Sequence, residues 1–89
     1  MIKSKEGLLV RKFGDKYVIV AIDDMADEFH SLITLNDTGL FIWKLIEKGT
    51  DADKILENIL STYDIDEETA KTDIQNFIES ARKAGILNE

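Results

Sequence analysis

Acidic side chains are the most abundant groups in this chain that could take part in chemistry. The sequence has 18 aspartates and glutamates against 11 lysines and arginines, which gives a formal net charge of −7. They cluster before a predicted strand and before a predicted helix: Asp23, Asp24, Asp27 and Glu28, and then Asp64, Asp66, Glu67 and Glu68. The pattern Asp64-x-Asp66 is similar to the start of a calcium loop, but the glycine needed at the sixth position is Thr69 here. Helix capping and a solvated surface explain these carboxylates better, so we expect no metal site.

Nucleophiles and general bases are scarce. His30 is the only histidine, the chain has no cysteine, and no constellation of serine and aspartate accompanies the histidine. Phosphate-binding loops, dinucleotide-binding glycine motifs and zinc-protease motifs are absent from the sequence. We therefore expect no catalytic residue, no cofactor and no enzyme activity.

Length and charge limit the classes of protein to which this chain can belong. With 89 residues, we expect one domain over residues 1–89. No apolar run approaches the roughly 20 residues that span a bilayer, and no signal peptide is recognisable, so we expect a soluble cytoplasmic protein. A net charge of −7 disfavours contact with phosphate backbones and anionic membranes, so we expect neither as a partner.

The first part of the chain has the pattern of a small sheet. After a predicted tail at residues 1–6, strands are predicted at residues 7–13 and 17–22, and residues 14–16 favour a tight hairpin turn. The second strand is apolar on both faces, which predicts a central position. A third strand is predicted at residues 29–35. If that strand lies at the sheet edge, its unpaired N–H and C=O groups can accept a peptide as a further strand, unless the chain itself covers them.

From residue 36 onward the apolar spacing becomes helical. Asn36 is predicted to cap a first helix over residues 37–48, because its side chain can accept a hydrogen bond from the first turn. Gly49 then ends the helix in the left-handed conformation. Trp43 lies inside this helix, where a core position is a better interpretation than a hot spot for a partner.

Two further helices follow after short turns. Thr50, with Asp53 three residues later, resembles a capping box at the start of the second helix. Either Asp64 or Asp66 is predicted to cap the third helix, which ends at Gly85.

The predicted order is three strands over residues 7–35 followed by a bundle of three helices over residues 36–89. So small a sheet cannot bury its own inner face, and the helices must cover it. We therefore predict an α+β fold, in which a three-stranded antiparallel sheet is followed by three helices in a winged-helix-like arrangement.

The segment from Leu35 to Gly49 carries the pattern Leu-Asn-x-x-Gly-x-x-Ile-Trp-x-Leu-Ile-x-x-Gly. Together with three later features it resembles the PqqD-like proteins over residues 7 to 88. Those features are Tyr63, the run Asp73-Ile74-x-x-Phe77-Ile78, and Gly85-Ile86-Leu87. The resemblance implies a compact peptide-recognition element of pathways that make ribosomally synthesised, modified peptides.

The resemblance also implies partners and a site. The type member, in pyrroloquinoline quinone biosynthesis, binds a precursor peptide and presents it to a radical S-adenosylmethionine enzyme. Its leader segment lies in the cleft between the third strand and the third helix. A precursor peptide leader and a modifying enzyme of that type are therefore the expected partners here.

Transferred to this chain, the resemblance places the docking edge at Phe29, His30, Ser31, Leu32, Ile33 and Thr34. The other wall of the cleft is then expected to consist of Lys71, Ile74, Gln75, Ile78 and Arg82, although sequence does not fix which face of the helix points inward. Of these, Lys71 and Arg82 are expected to engage acidic leader residues. The signature residues Gly39 and Trp43 are expected to be structural.

Two other functions fit this fold class. A winged-helix, nucleic-acid-binding regulator is one, although residues 66–84 carry five acidic against three basic residues, unlike a helix that binds DNA. A structural subunit of an enzyme complex is the other. The oligomeric state, monomer or homodimer, stays open.

Overall fold

The computed structural model describes residues 1–22 and 33–88. Its elements are β1 (Lys3–Ser4), β2 (Leu8–Phe13), β3 (Lys16–Ala21), β4 (Ile33–Leu35), α1 (Asp37–Lys48), α2 (Ala52–Thr62), α3 (Glu67–Ala84) and β5 (Leu87–Asn88). The antiparallel sheet has the order β2-β3-β4, and the three helices follow it. The predicted α+β fold class is confirmed, and β3 takes the predicted central position.

The β2–β3 hairpin forms because a tight turn separates two apolar runs. Gly14 has a φ of 65° in this turn, a conformation that glycine adopts without steric cost. In the register of the sheet, Ile19 of β3 lies opposite Val10 of β2 and Ile33 of β4. Ile19 is completely buried, so its face of the sheet is the one that packs on the helices.

The predicted third strand is described only over its last part. The structure shows Ile33–Leu35 as β4, and the remainder of the prediction, residues 29–32, lies outside the described residues. The acidic run at residues 23–28 and His30 lie outside them as well. Within β4, Leu35 is buried and Thr34 is exposed, as the predicted alternation requires.

The helix caps follow the sequence signals with two exceptions, at the end of α1 and at the start of α2. Gly49 ends α1 as predicted, but its φ of 91° and ψ of 125° differ from the predicted left-handed conformation. The side chain of Asn36 accepts a hydrogen bond from the backbone N–H of Gly39 at 2.8 Å, and α1 begins there as predicted. The prediction of Thr50 as the cap of α2 was wrong, because Asp51 holds that position and accepts from the N–H of Lys54. Thr50 instead exchanges backbone hydrogen bonds with Ile2 and is buried.

The third helix begins after Asp66, one of the two predicted caps, and ends at Gly85 as predicted. Asp66 caps α3, and its carboxylate accepts from both the N–H and the hydroxyl of Thr69. Gly85 ends the helix with φ 75° and ψ 25°, the left-handed conformation. This turn directs Ile86 back into the core, where it is fully buried.

The core lies between the inner face of the sheet and the three helices. Trp43 is its largest fully buried side chain, which agrees with the core interpretation. Its indole Nε1 has no hydrogen-bond partner among the described residues, so the ring contributes through apolar packing. The buried hydrophobic residues are Leu8, Ile19, Leu35, Ile42, Trp43, Ile46, Ile55, Ile59, Ala70, Ile74, Ile78, Ala81, Ile86 and Leu87.

The N-terminal segment is not the tail expected from its sequence. Lys3 and Ser4 form β1, which pairs antiparallel with β5. Ile2 packs against the core as well. Backbone pairing with β5 therefore holds Lys3 and Ser4 against the domain, although their composition alone predicts a polar tail.

Candidate functional site: a cleft beside the sheet edge

The strand β4 is an edge of the sheet, because β3 is its only neighbour in the strand order of the described residues. Beyond the β2–β3 ladder, the N–H of Ile22 donates to the carbonyl of Gly7 at 2.8 Å. Hydrogen-bonded and non-bonded pairs alternate in an antiparallel ladder. Counting from this pair, Val18 directs its backbone groups toward β2, and Ile19 directs them toward β4.

The same alternation assigns the backbone groups of β4. Ile33 lies opposite Ile19 and is hydrogen-bonded to β3, whereas Thr34 lies opposite Val18 in a non-bonded pair. The N–H and C=O of Thr34 therefore point away from the sheet, toward the side on which a further strand would pair. Thr34 is also exposed, so its outward groups are accessible.

A cleft of about 610 Å³ runs along this edge, with α3 on its other side. Its floor is apolar, with Ile42 and Ile86 almost fully buried and the ring of Phe77 half-buried. The lining residues are Lys16, Ile33, Thr34, Leu35, Asn36, Thr38, Gly39, Ile42, Asp73, Asn76, Phe77, Ser80, Ala81 and Ile86. Apolar floor and polar rim together suit an extended peptide with alternating side chains.

The first turn of α1 forms one end of the cleft. Asn36 caps the helix, and a Cβ added to Gly39 would lie 3.3 Å from the Asn36 Oδ1 atom and 3.4 Å from Leu35 Cδ2. Glycine is therefore the residue that lets β4 and α1 approach closely at this corner. The Leu35-Asn36-x-x-Gly39 signature fixes the angle at which β4 enters α1, and Gly39 itself contributes to the cleft wall.

The wall supplied by α3 differs from the expected one. Asp73, Asn76, Phe77, Ser80 and Ala81 line the cleft from this helix. The five residues expected there, Lys71, Ile74, Gln75, Ile78 and Arg82, line a different groove, of about 370 Å³, between α3 and α2. With 3.6 residues per turn, the two sets lie on opposite flanks of the helix.

Helical periodicity explains this displacement. The buried stripe of α3, Ala70, Ile74, Ile78 and Ala81, faces the core. Either flank of such a stripe can border a groove, and the apolar pattern is the same for both. The sequence therefore predicts the buried stripe correctly but gives no preference between its two sides.

The charges at the cleft also differ from those expected. Lys71 forms an ion pair with Glu67 at 3.9 Å on the exposed surface, and neither Lys71 nor Arg82 lines the cleft. The charged residues that do line it are Lys16, at the start of β3, and Asp73, on α3. From the described residues, the cleft thus receives one charge of each sign, on opposite walls.

Other kinds of site find no support in the part of the chain that the structure describes. Residues 1–22 and 33–88 contain no group of three or more histidine, cysteine or carboxylate side chains placed to hold a metal ion. Within the same ranges, no helix combines the length and apolar character required to span a bilayer.

Comparison with known proteins identifies the family of this chain. Residues 16–87 match the family model described as Coenzyme PQQ synthesis protein D (PqqD). The chain belongs to this family. For this PqqD-family chain, a comparison with curated proteins gives no match.

Two solved structures share the fold of this PqqD-family chain. One, described as TbiB1 in complex with the TbiA(beta) leader peptide, has a TM-score of 0.74 and 21% identity, with 97% of this chain and 94% of that chain covered. The other, a lasso peptide synthetase B1 complexed with the leader peptide, has a TM-score of 0.75 and 17% identity, with 99% and 98% covered. At these identities the likeness concerns the fold.

Proposed function

We propose that this chain is a non-catalytic adaptor that binds the leader of a precursor peptide and presents it to a modifying enzyme. One observation carries the proposal: the N–H and C=O of Thr34 point outward from the edge of the sheet that residues 1–22 and 33–88 form, directly beside a cleft. Two backbone groups at an edge can pair with an extended peptide, which gives affinity without requiring a particular sequence.

The cleft then supplies the sequence preference. In a peptide added to β4, alternate side chains point to opposite faces of the sheet. Those on the core side meet the half-buried ring of Phe77, beneath which Ile42 and Ile86 are buried. Those on the other side lie toward solvent. A leader with apolar residues at every second position fits this arrangement best.

Electrostatics adds a second level of selection. Lys16 on the sheet side attracts an acidic leader residue, and Asp73 on the helix side attracts a basic one. Both side chains are exposed, so each contributes little affinity and mainly selects the register of the peptide.

Family membership and the described neighbours support this role. The matched PqqD family and two folds solved with leader peptides favour a place in the biosynthesis of ribosomally made, modified peptides. By the family resemblance, we propose a radical S-adenosylmethionine enzyme as the partner, and the cytoplasm as the compartment in which the two meet.

Substitution of Thr34 by proline tests the proposal. Proline removes the outward N–H while leaving the bonds of Ile33 and Leu35 to β3 in place, and edge strands tolerate it. The probes are leader peptides taken from short reading frames of the genome that encodes this chain. We expect the affinity for such a leader to fall about tenfold, since an edge hydrogen bond is lost and the strand is perturbed. Isothermal titration calorimetry measures the change.

Thr34→Val is the matched control. It keeps the N–H and the β-branched shape, so the leader should bind nearly as it does to the unaltered chain. Equal loss in both variants would show that the side chain of Thr34, rather than its backbone, contacts the peptide. A leader that binds none of the three proteins would refute the adaptor role.

A further inference from the structure

The face of the sheet opposite the core is apolar and exposed. Leu9 is 42% exposed, Phe13 77% and Ile22 36%. By the alternation of the strands, these residues share the outer face with Val18 and Val20, which are only half-buried. We call this set, Leu9, Phe13, Val18, Val20 and Ile22, the outer sheet face. An exposed apolar cluster of this kind marks an interaction site.

Basic residues interrupt the apolar residues of this face in a protein that is otherwise strongly acidic. Residues 1–22 contain five basic and two acidic side chains, a net charge of +3, whereas the whole chain carries −7. By the same alternation, Arg11 opposite Val18 and Lys16 opposite Phe13 lie on the outer side of the sheet, and both are exposed. A partner that covers the outer sheet face must therefore offer an apolar patch bordered by carboxylates.

The outer sheet face continues to β4, the strand at which the leader is proposed to bind, and this position further limits which protein can be the partner. A leader added to β4 extends the same sheet by one strand, and every second side chain of that strand then continues the outer face. Thr34, at the edge, already lies on this face opposite Val18. A protein bound to the outer sheet face would therefore contact the bound leader and the adaptor at once.

We propose that the outer sheet face is the docking surface for the modifying enzyme, which covers it with an apolar, acid-bordered patch. The inference rests on the proposed function, because the composite surface exists only if the leader adds to β4. Leu9 and Phe13 form the exposed apolar centre of the contact, and Arg11 speeds the approach of the acidic partner.

The test compares binding of a purified radical S-adenosylmethionine enzyme, taken from the genome that encodes this chain, to three forms of the full chain. The doubly substituted Leu9→Ser, Phe13→Ser variant should lose at least about tenfold in enzyme affinity. A few large apolar side chains supply most of the binding energy of such contacts, and this variant removes two of them. Leu60→Ser is the matched control, since Leu60 is 36% exposed but lies on α2. It should bind the enzyme as the unaltered chain does.

Two further readouts separate the possible failures. Circular dichroism and leader affinity of the double variant should both match those of the unaltered chain, which shows that fold and cleft are intact. Unchanged enzyme affinity in that folded variant would overturn the docking proposal and leave the proposed function standing. Absence of leader binding by the unaltered chain would instead refute the proposed function.

A second copy of the chain is the competing occupant. Sedimentation velocity of the unaltered chain should show a monomer, and adding salt should slow its association with the enzyme as Arg11 and Lys16 are screened. A dimer that the Leu9→Ser, Phe13→Ser change dissociates would assign the outer sheet face to self-association and overturn the proposal.

Discussion

The two flanks of α3 have similar shapes and different surroundings. One flank, with Asn76, Phe77 and Ser80, borders the cleft beside β4, and across that cleft lies the edge strand of the described sheet. The other flank, with Gln75 and Arg82, borders the groove against α2, and the lining of that groove comes from two helices and no strand. A peptide can add as a further strand where one wall of a groove is a strand edge, and of these two grooves the one beside β4 has such a wall among the described residues.

The most decisive test of which groove binds the leader is to fill each groove in turn with a large side chain. Ser80→Trp places a large ring in the cleft, and Gln75→Trp places the same ring on the opposite flank; both positions are exposed in the same helix. We expect Ser80→Trp to weaken leader binding by about 100-fold, a loss of roughly 3 kcal/mol, because the peptide is sterically excluded. Fluorescence anisotropy with a labelled leader measures this.

The Gln75→Trp variant introduces the same ring at a small cost in helix propensity and should bind the leader within about twofold of the unaltered chain. The reverse pattern, with loss only in Gln75→Trp, would place the peptide in the groove against α2. That outcome would restore the wall of Lys71, Ile74, Gln75, Ile78 and Arg82 expected from the family resemblance.

The caps of α1 and α3 differ in their position relative to the cleft, and substituting them should have smaller effects on leader affinity. Asn36 lines the cleft, whereas Asp66 is not among the residues that line it. Asn36→Ala removes a cap and should lower the free energy of unfolding by about 1 kcal/mol. Leader affinity should fall as well, since the corner between β4 and α1 loosens. Chemical denaturation and calorimetry measure the two effects.

Asn36→Ser restores an acceptor and should recover most of the stability. Asp66→Ala should lower stability while leaving leader affinity unchanged, because its cap lies away from the cleft. Equal loss of leader affinity in Asn36→Ala and Asp66→Ala would indicate a general effect of destabilisation.

The smallest expected effect is a dependence of stability on pH at the start of α3. The hydroxyl and the backbone N–H of Thr69 donate to the Asp66 carboxylate at 2.7 and 3.0 Å and hold its pKa below the ordinary value of 3.8. Because the folded pKa is lowered, this stabilisation is complete above the ordinary pKa and is lost as the pH falls through the folded one.

Asp66→Asn keeps a capping side chain that does not titrate. Relative to this variant, the unaltered chain should lose stability as denaturation is repeated at decreasing pH below about 4. Identical acid profiles for the two proteins would show that the carboxylate contributes no charge-dependent stability.

Local signals in the sequence predict much of this fold. The caps at Asn36 and Asp66, the turn at Gly14 and the end of α3 at Gly85 depend on neighbouring residues, and the structure shows all four. The position of the Thr50 segment was not predictable in this way, because its partner, Ile2, is distant in sequence. Local patterns carry no information about such pairing.

In the candidate site, too, the features set by local sequence were predictable and those set by packing between distant elements were not. Ile33 and Thr34 could be placed at an edge from alternation and resemblance, and both line the cleft. The wall of α3 could not be assigned, since which flank faces β4 depends on how the helices pack together. The spacing of Asp73, Asn76, Phe77 and Ser80 was visible, but it is as helical as that of the opposite flank.

Chemical-shift mapping of the bound leader tests the central claim most directly. With the labelled full chain and an unlabelled leader peptide from the same genome, the amide signals of Thr34, Asn76, Phe77 and Ser80 should shift. Those of Lys71, Gln75 and Arg82 should change little. Shifts confined to the latter group would contradict binding at the strand edge and place the peptide between α2 and α3.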